Sequence, residues 1–233
     1  RLDLKIALCP SRVSLLRLSS MVPPLQTDQA QAKTVYLIRH GKTTGNVQFE
    51  SLMRVLRGII CCRRFTCSDV GACLRCPGED PALTSLGRAQ VIDVAAQLAD
   101  SNLVRAAGVQ LILHSNLQRT RLTCRGVLPS ESVHGVPVVE LPMLREFYLL
   151  RDCLPWCPCT FQARVQRFRK WLAERPETVI LIVGHGMYFQ ALQGSDAGHF
   201  DNVEVRRCTF NVASRELDPG QVLCKPRCTK TPV

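Results

Sequence analysis

Three short apolar runs constrain this chain more than any other feature. Thr34–Arg39, Val109–Leu113 and Thr178–Val183 are too short for buried helices and lack polar alternation. Each therefore predicts a strand buried on both faces. Between them, apolar residues recur at helical spacing. Thr84 is placed to cap a helix whose apolar face is Gly87, Val91, Val94, Ala95 and Leu98. A second helix is predicted around 117–127. Phe161, Val165, Phe168 and Leu172 mark a third, ending before Pro176, and another should follow Gly186. Val136–Leu141 reads as a short extended piece, and 203–213 as a closing, edge-like strand. Strands alternating with helices predict an α/β three-layer sandwich, a mainly parallel sheet with helices on both faces.

Two stretches break this pattern. Residues 47–79 hold five cysteines and Arg54, Arg57, Arg63, Arg64 and Arg75, and residues 150–160 are rich in Cys and Pro. Neither is periodic, so both read as loops or insertions. The expected organisation is an N-terminal extension over 1–32, one domain over 33–214 carrying the 47–79 insertion, and a loose tail over 215–233. Residues 1–20 set Arg1, Lys5, Arg12 and Arg17 against Asp3 alone. They read either as the remnant of an organelle transit peptide or as an extension ahead of a start at Met21.

Composition narrows the function classes. The 30 Lys and Arg against 19 Asp and Glu give a net charge of +11, which favours anionic partners. The surplus is scattered over the tails and the insertion with few interleaved aromatics, which speaks against nucleic acid. No apolar run approaches the ~20 residues of a membrane span, so no membrane partner is expected. The 13 cysteines are odd in number and irregularly spaced, unlike a disulfide framework, so the chain reads as reduced and intracellular. The expected location is cytoplasmic, with a plastid or other organelle as the alternative if 1–20 is a transit remnant. In the Cys61–Cys76 cluster only Cys73 and Cys76 have knuckle spacing, so no metal is expected there. Cys157-Pro-Cys159 lacks the two-residue spacing of a redox motif.

Ligands in open α/β sheets collect at the carboxyl ends of the strands. Arg39, His40 and Gly41 follow the first strand, and His114 and Ser115 the second, with Arg119 a turn further on. Glu146 lies shortly after the third extended piece, and Gly184, His185 and Gly186 follow the 178–183 strand. Arginines and imidazoles gathered at one edge suit a phosphoryl group. Arg grips its oxygens bidentately, and His serves as nucleophile or donor. The glycines beside each histidine, Gly186 among them, let backbone approach the ligand.

These residues carry a resemblance. Arg-His-Gly-Lys-Thr-Thr-Gly-Asn (39–46) resembles the R-H-G-x-T-x-x-N opening of the histidine phosphatase superfamily, with its phosphoglycerate mutase-like fold. Asp80-Pro-Ala-Leu-Thr-Ser-Leu-Gly-Arg-Ala-Gln90 resembles its D-x-x-L-T-x-x-G-x-x-Q segment. Ser115-Asn-Leu-Gln-Arg119 with Thr123 resembles S-P-L-x-R-x-x-x-T, with Asn116 in place of proline. Leu144-Arg-Glu146 resembles the acid segment, and Gly184-His-Gly186 the second-histidine motif. Residues 161–194 look especially like small phosphatase-type members from plants and algae.

The resemblance implies that His40 is a nucleophile that becomes a phosphohistidine. It implies that Arg39, Arg119 and His185 bind phosphoryl oxygens, and that Asn46 and Gly186 line the phosphate pocket. Glu146 would protonate the leaving oxygen and then help activate water. Glu140 is the competing acid. Fixed cations take the place of a metal, so no cofactor is expected. The implied activity is metal-independent hydrolysis of a small phosphomonoester. Two alternatives stand beside it: a phosphoglycerate mutase-type phosphotransferase, and a non-catalytic phospholigand-binding protein of the same fold. Only 38 positions separate Glu146 from Gly184, which leaves little room for the lid that shields a mutase intermediate from water. The substrate and the oligomeric state are not legible.

Overall fold

A computed structural model describes residues 32–50, 80–129, 131, 133–147, 160–194 and 198–228. The extension before 32, most of the 47–79 insertion, and the Cys- and Pro-rich 150–160 stretch except Thr160 lie outside the described residues.

Seven strands form one open sheet. They are β1 (Ala32–Arg39), β2 (Leu111–His114), β3 (Val138–Glu140), β4 (Val179–Gly184), β5 (Val205–Asn211), β6 (Glu216–Leu217) and β7 (Gln221–Cys224). The order is β3-β2-β4-β1-β5-β6, with β7 also on β5. The first four pair in parallel. β5 runs antiparallel to β1, and β6 and β7 antiparallel to β5.

Side-chain alternation splits the core into two layers. Val35, Leu37, Ile180 and Ile182 face one side, against α4 (Phe161–Glu174) and α5 (Gly186–Gln193). Tyr36, Ile38, Leu181 and Val183 face the other, against α1 (Ser85–Asp100) and α3 (Gln118–Val127). Both faces are covered, which is why these strands are apolar throughout. Phe168, Leu172 and Phe189 are fully buried, and each such side chain contributes roughly 1.5–3 kcal/mol. A four-residue helix, α2 (Leu103–Ala106), precedes β2. Thr84 caps α1 by accepting from the Gly87 N–H at 2.9 Å, worth about 1 kcal/mol.

Two expectations fail. The 203–213 strand is not an edge: β5 is flanked by β1 on one side and by β6 and β7 on the other. The 215–233 tail is not loose throughout, because 216–217 and 221–224 are those flanking strands and Leu217 is buried in the core. Both segments were too short for a periodicity to register. They form because β5 offers an open ladder, so tertiary context supplies what local sequence lacks. The expected start at 33 also falls one residue inside β1.

Candidate active site

The two histidines meet because β1 and β4 are hydrogen-bonded neighbours in register. Arg39 pairs with Gly184, and the His40 N–H donates to the Gly184 carbonyl at 3.0 Å. Leaving parallel strands side by side, His40 and His185 stand with ring centroids 5.2 Å apart in an edge-to-face pose. On β4's other side lies β2, whose continuation through Leu117 starts α3 and puts Arg119 at the same edge.

The loop carrying His40 is held by residues of the resembling motifs that do no chemistry. The Gly41 N–H donates to Thr123 Oγ1 at 3.0 Å, and the Lys42 N–H to Gln90 Oε1 at 3.1 Å. Thr84 Oγ1 donates to the Lys42 carbonyl at 3.1 Å. Gly87 permits this docking, since a Cβ there would lie 2.1 Å from the Lys42 carbonyl oxygen. Asn202 Nδ2 donates to the His40 carbonyl at 3.0 Å.

His40 is buried, and burial first, then the Arg119 and Arg39 charges, hold its pKa well below the ordinary value. The ring is therefore neutral. Its Nδ1 lies 2.8 Å from the Gly41 carbonyl, which can only accept, so Nδ1 bears the hydrogen and Nε2 the lone pair. His185 is fully buried, and burial followed by His40 and the two arginines keeps it neutral as well.

Polar atoms aimed into this space lack protein partners. Among the described residues, neither ring nitrogen of His185 nor Arg39 Nε has a hydrogen-bond partner, although all three are buried. Such atoms call for a partner, which a ligand, an ion or a water can supply. Arg39 Nη1 donates to the Phe200 carbonyl. A Cβ on Gly186 would come 3.1 Å from Arg39 Nε, so a larger residue there would crowd the guanidinium. Arg119 is also buried, with Nη1 3.5 Å from Asp80 Oδ1. Burial lowers the pKa of both arginines, yet a guanidinium stays charged. Asp80 Oδ2 also accepts from the Gln118 N–H at 2.7 Å, capping α3 where Leu117 has no side-chain acceptor.

Glu146 enters from the turn after β3, its Oε2 3.7 Å from His185 Nδ1. Burial pushes its carboxyl up to about 7, against the opposing pull of Arg119. Phe147 packs edge-on to Phe161 at 5.4 Å, part of the apolar setting behind that shift. Glu140 is exposed on β3, the strand at the sheet's end, so the structure separates the two candidate acids. Asn46 lies at the cleft, but Thr43 occupies its amide oxygen through N–H and Oγ1 at 3.0 and 2.9 Å. Those bonds close the turn, and the amide nitrogen is the atom from which a phosphoryl oxygen would accept.

His40, Glu146 and His185 present ligand-type atoms within 4.8 Å of one another, a set that can hold a metal ion. The Arg39 and Arg119 charges that depress both histidines act against a cation and for an anion. The Cys61–Cys76 cluster lies outside the described residues. No helix among the described residues is long and apolar enough to cross a membrane.

Sequence reasoning passed over Asp80 and Asn202. Asp80 stood inside a quoted motif, and its place ahead of α3 was the available signal. Asn202 carried none, being 162 positions from the backbone it holds. His199, read from sequence as a loop residue, lines the same cleft as Arg39 and Glu146.

Residues 72–151 match the family model of the histidine phosphatase superfamily (branch 1), a span that includes Arg119 and Glu146. No curated protein matches the chain significantly. Among solved structures it is similar to the α-ribazole phosphatase of Shigella flexneri, at 21% identity and a TM-score of 0.51, covering 86% of this chain and 98% of that one. An Escherichia coli K-12 protein assigned as an α-ribazole-5'-P phosphatase gives 20% identity and a TM-score of 0.52, covering 83% and 96%. A mycobacterial hydrolase gives 16% and 0.52, covering 85% and 94%. The chain is thus similar to the histidine phosphatase superfamily over residues 72–151, and it shares the phosphoglycerate mutase-like fold of these solved structures.

Proposed function

We propose that this protein is a metal-independent phosphomonoester hydrolase acting through a phosphohistidine on a small phosphorylated substrate. One observation carries the reading: a neutral His40, its Nδ1 engaged and its Nε2 lone pair left for attack, stands beside His185 in a buried site under the charges of Arg39 and Arg119. That arrangement is complementary to a phosphoryl group under attack by nitrogen. The family match and the fold support a phosphatase rather than an unrelated use of the sheet.

In this scheme His40 Nε2 attacks phosphorus while Arg39, Arg119 and His185 hold the non-bridging oxygens. The P–O bond to the leaving alcohol breaks as the protonated Glu146 carboxyl gives that oxygen its proton. His40 keeps its Nδ1 hydrogen, and the Gly41 carbonyl accepts it, steadying the positive ring. Glu146, now a carboxylate, takes a proton from water as water attacks phosphorus. The N–P bond breaks, inorganic phosphate leaves, and both residues regain their starting states. A carboxyl near 7 is suited to both duties around neutral pH.

The reading extends to a small member of the family. Trp171–Glu177 with Gly184–Gly186 supports the likeness to plant and algal phosphatases, and a cytoplasmic or plastid location goes with it. We expect no nucleic-acid or membrane partner. A mutase would pass the phosphoryl group to a second hydroxyl instead of water. The test is release of inorganic phosphate from a generic phosphomonoester, with and without a strong chelator, by wild type and His40→Ala. Chelator-resistant release that His40→Ala abolishes supports the reading. Release that vanishes with chelator and returns with zinc or magnesium overturns metal independence, and transfer without free phosphate favours the mutase.

A further inference from the structure

A cleft of about 600 Å³ includes Arg39, Glu146 and Gly186 of the phosphoryl site, and the rest of its lining has a different chemistry. Arg39 and Glu146 mark its inner end. Beyond them the lining includes Phe49, Met187 and Phe200, and the carboxylates of Glu50 and Asp201. Phe49 is 64% and Met187 52% exposed, an apolar pair left open at the mouth. Phe200 is fully buried beneath this surface and backs it, pinned by the Arg206 guanidinium 3.7 Å from its centroid and by the Phe189 ring at 5.3 Å. The two carboxylates are each held by a lysine, Glu50 by Lys42 at 2.9 Å and Asp201 by Lys225 at 2.8 Å. The Lys225 bond also keeps the Asp201 carboxyl below its ordinary pKa, so it is ionised at neutrality.

Because the cleft includes Glu146, the leaving-group acid of the proposed mechanism, the alcohol part of a phosphomonoester held at His40 would extend into it. Its rings and thioether favour an apolar, planar body. Its lysine-held carboxylates accept hydrogen bonds from hydroxyl or amine groups, which a second anionic group cannot donate. We propose that the preferred substrates are phosphomonoesters of uncharged, ring-bearing alcohols, and that Phe49, Met187 and Asp201 select them against esters carrying a second anionic group. This deepens the phosphatase reading and rests on it.

The test compares kcat/KM for 2-phenylethyl phosphate and adenosine 5'-monophosphate with that for 3-phosphoglycerate. The first two are expected to exceed the third by about tenfold or more, the scale on which an apolar pocket discriminates. Phe49→Ala should lower the ring-bearing esters roughly tenfold and leave 3-phosphoglycerate unchanged. Met187→Lys, which puts a cation at the mouth, should raise 3-phosphoglycerate and lower the others. A preference for 3-phosphoglycerate in wild type, or an equal effect of both substitutions on all three esters, overturns the proposal. Equilibrium binding of the same esters to His40→Ala separates it from the hydrolase reading. If nothing is turned over but 2-phenylethyl phosphate still binds more tightly than 3-phosphoglycerate, the cleft assignment stands and only hydrolysis falls. If nothing is turned over and that order reverses, both fall.

Discussion

The two ends of the cleft are built differently. At the phosphoryl end, His40, His185 and Arg119 are buried and issue from neighbouring parallel strands or the helix next to them. At the leaving-group end, Phe49 and Met187 are exposed on helical segments and Asp201 sits on a loop. On the proposed reading the sheet fixes the bond to be broken, and the periphery fixes which molecule brings it. Changes at the inner end should act on every substrate alike, and changes at the outer end should depend on the alcohol.

Glu146 stands at the junction, so its variant gives the largest substrate-dependent effect. Glu146→Gln should slow an alkyl phosphate by roughly 10²–10⁴-fold, the range for general acid catalysis. An activated aryl phosphate, whose leaving group hardly needs a proton, should lose much less in a single-turnover measurement. An equal loss on both would remove Glu146 as proton donor, and no loss would return Glu140 to consideration. In wild type, phosphorylation by an alkyl ester should fall as pH rises through about 7, as the donor loses its proton.

Arg119→Met should reduce kcat/KM by roughly 10²–10³-fold on alkyl and aryl esters alike, because it removes charge from the phosphoryl oxygens and not from the alcohol. A loss confined to one ester would move Arg119 to the outer end.

A stability measurement reads the same burial without substrate. The Glu146 carboxyl is raised in the folded chain, so the folded state holds its proton more tightly than the unfolded one. Stability is therefore lost as pH rises from about 4.5 through about 7. Glu146→Gln removes that loss. The variant should be more stable than wild type by on the order of 2 kcal/mol at pH 8, and nearly equal to it at pH 4, by denaturant unfolding. Equal stability at pH 8 would mean that the carboxyl is not desolvated.

The smallest effect is expected at Asp80. Asp80→Ala removes the acceptor at the start of α3 and the carboxylate beside Arg119, at a stability cost of about 1 kcal/mol. As a positioning change it should raise KM for phosphate esters more than it lowers kcat. The reverse pattern would give Asp80 a direct part in the chemistry.

What could be read from sequence follows the same division. β1 and β4 are covered on both faces, so their apolar runs announced themselves, and with them the histidines at their ends. Gly87, Gln90 and Thr123 were visible as motif letters, but their work, holding the His40 loop, needed three elements to meet. β6 and β7 were invisible because two- and four-residue strands exist only against β5. Asn46 read as a phosphate contact, and it does line the cleft, but the Thr43 bonds that fix its amide oxygen could not be foreseen. The outer cleft was not legible at all: Phe49, Met187 and Asp201 have ordinary sequence surroundings and gain meaning only from standing around one space.

The central claim is that His40 Nε2 takes the phosphoryl group. A substrate labelled in its phosphate should be mixed with the enzyme and quenched within the first turnover, half in acid and half in base. Phosphoramidates are acid-labile, so label should remain on the protein only in the base quench, and His40→Ala should carry none. Label that survives acid, or that persists on His40→Ala, would contradict the account.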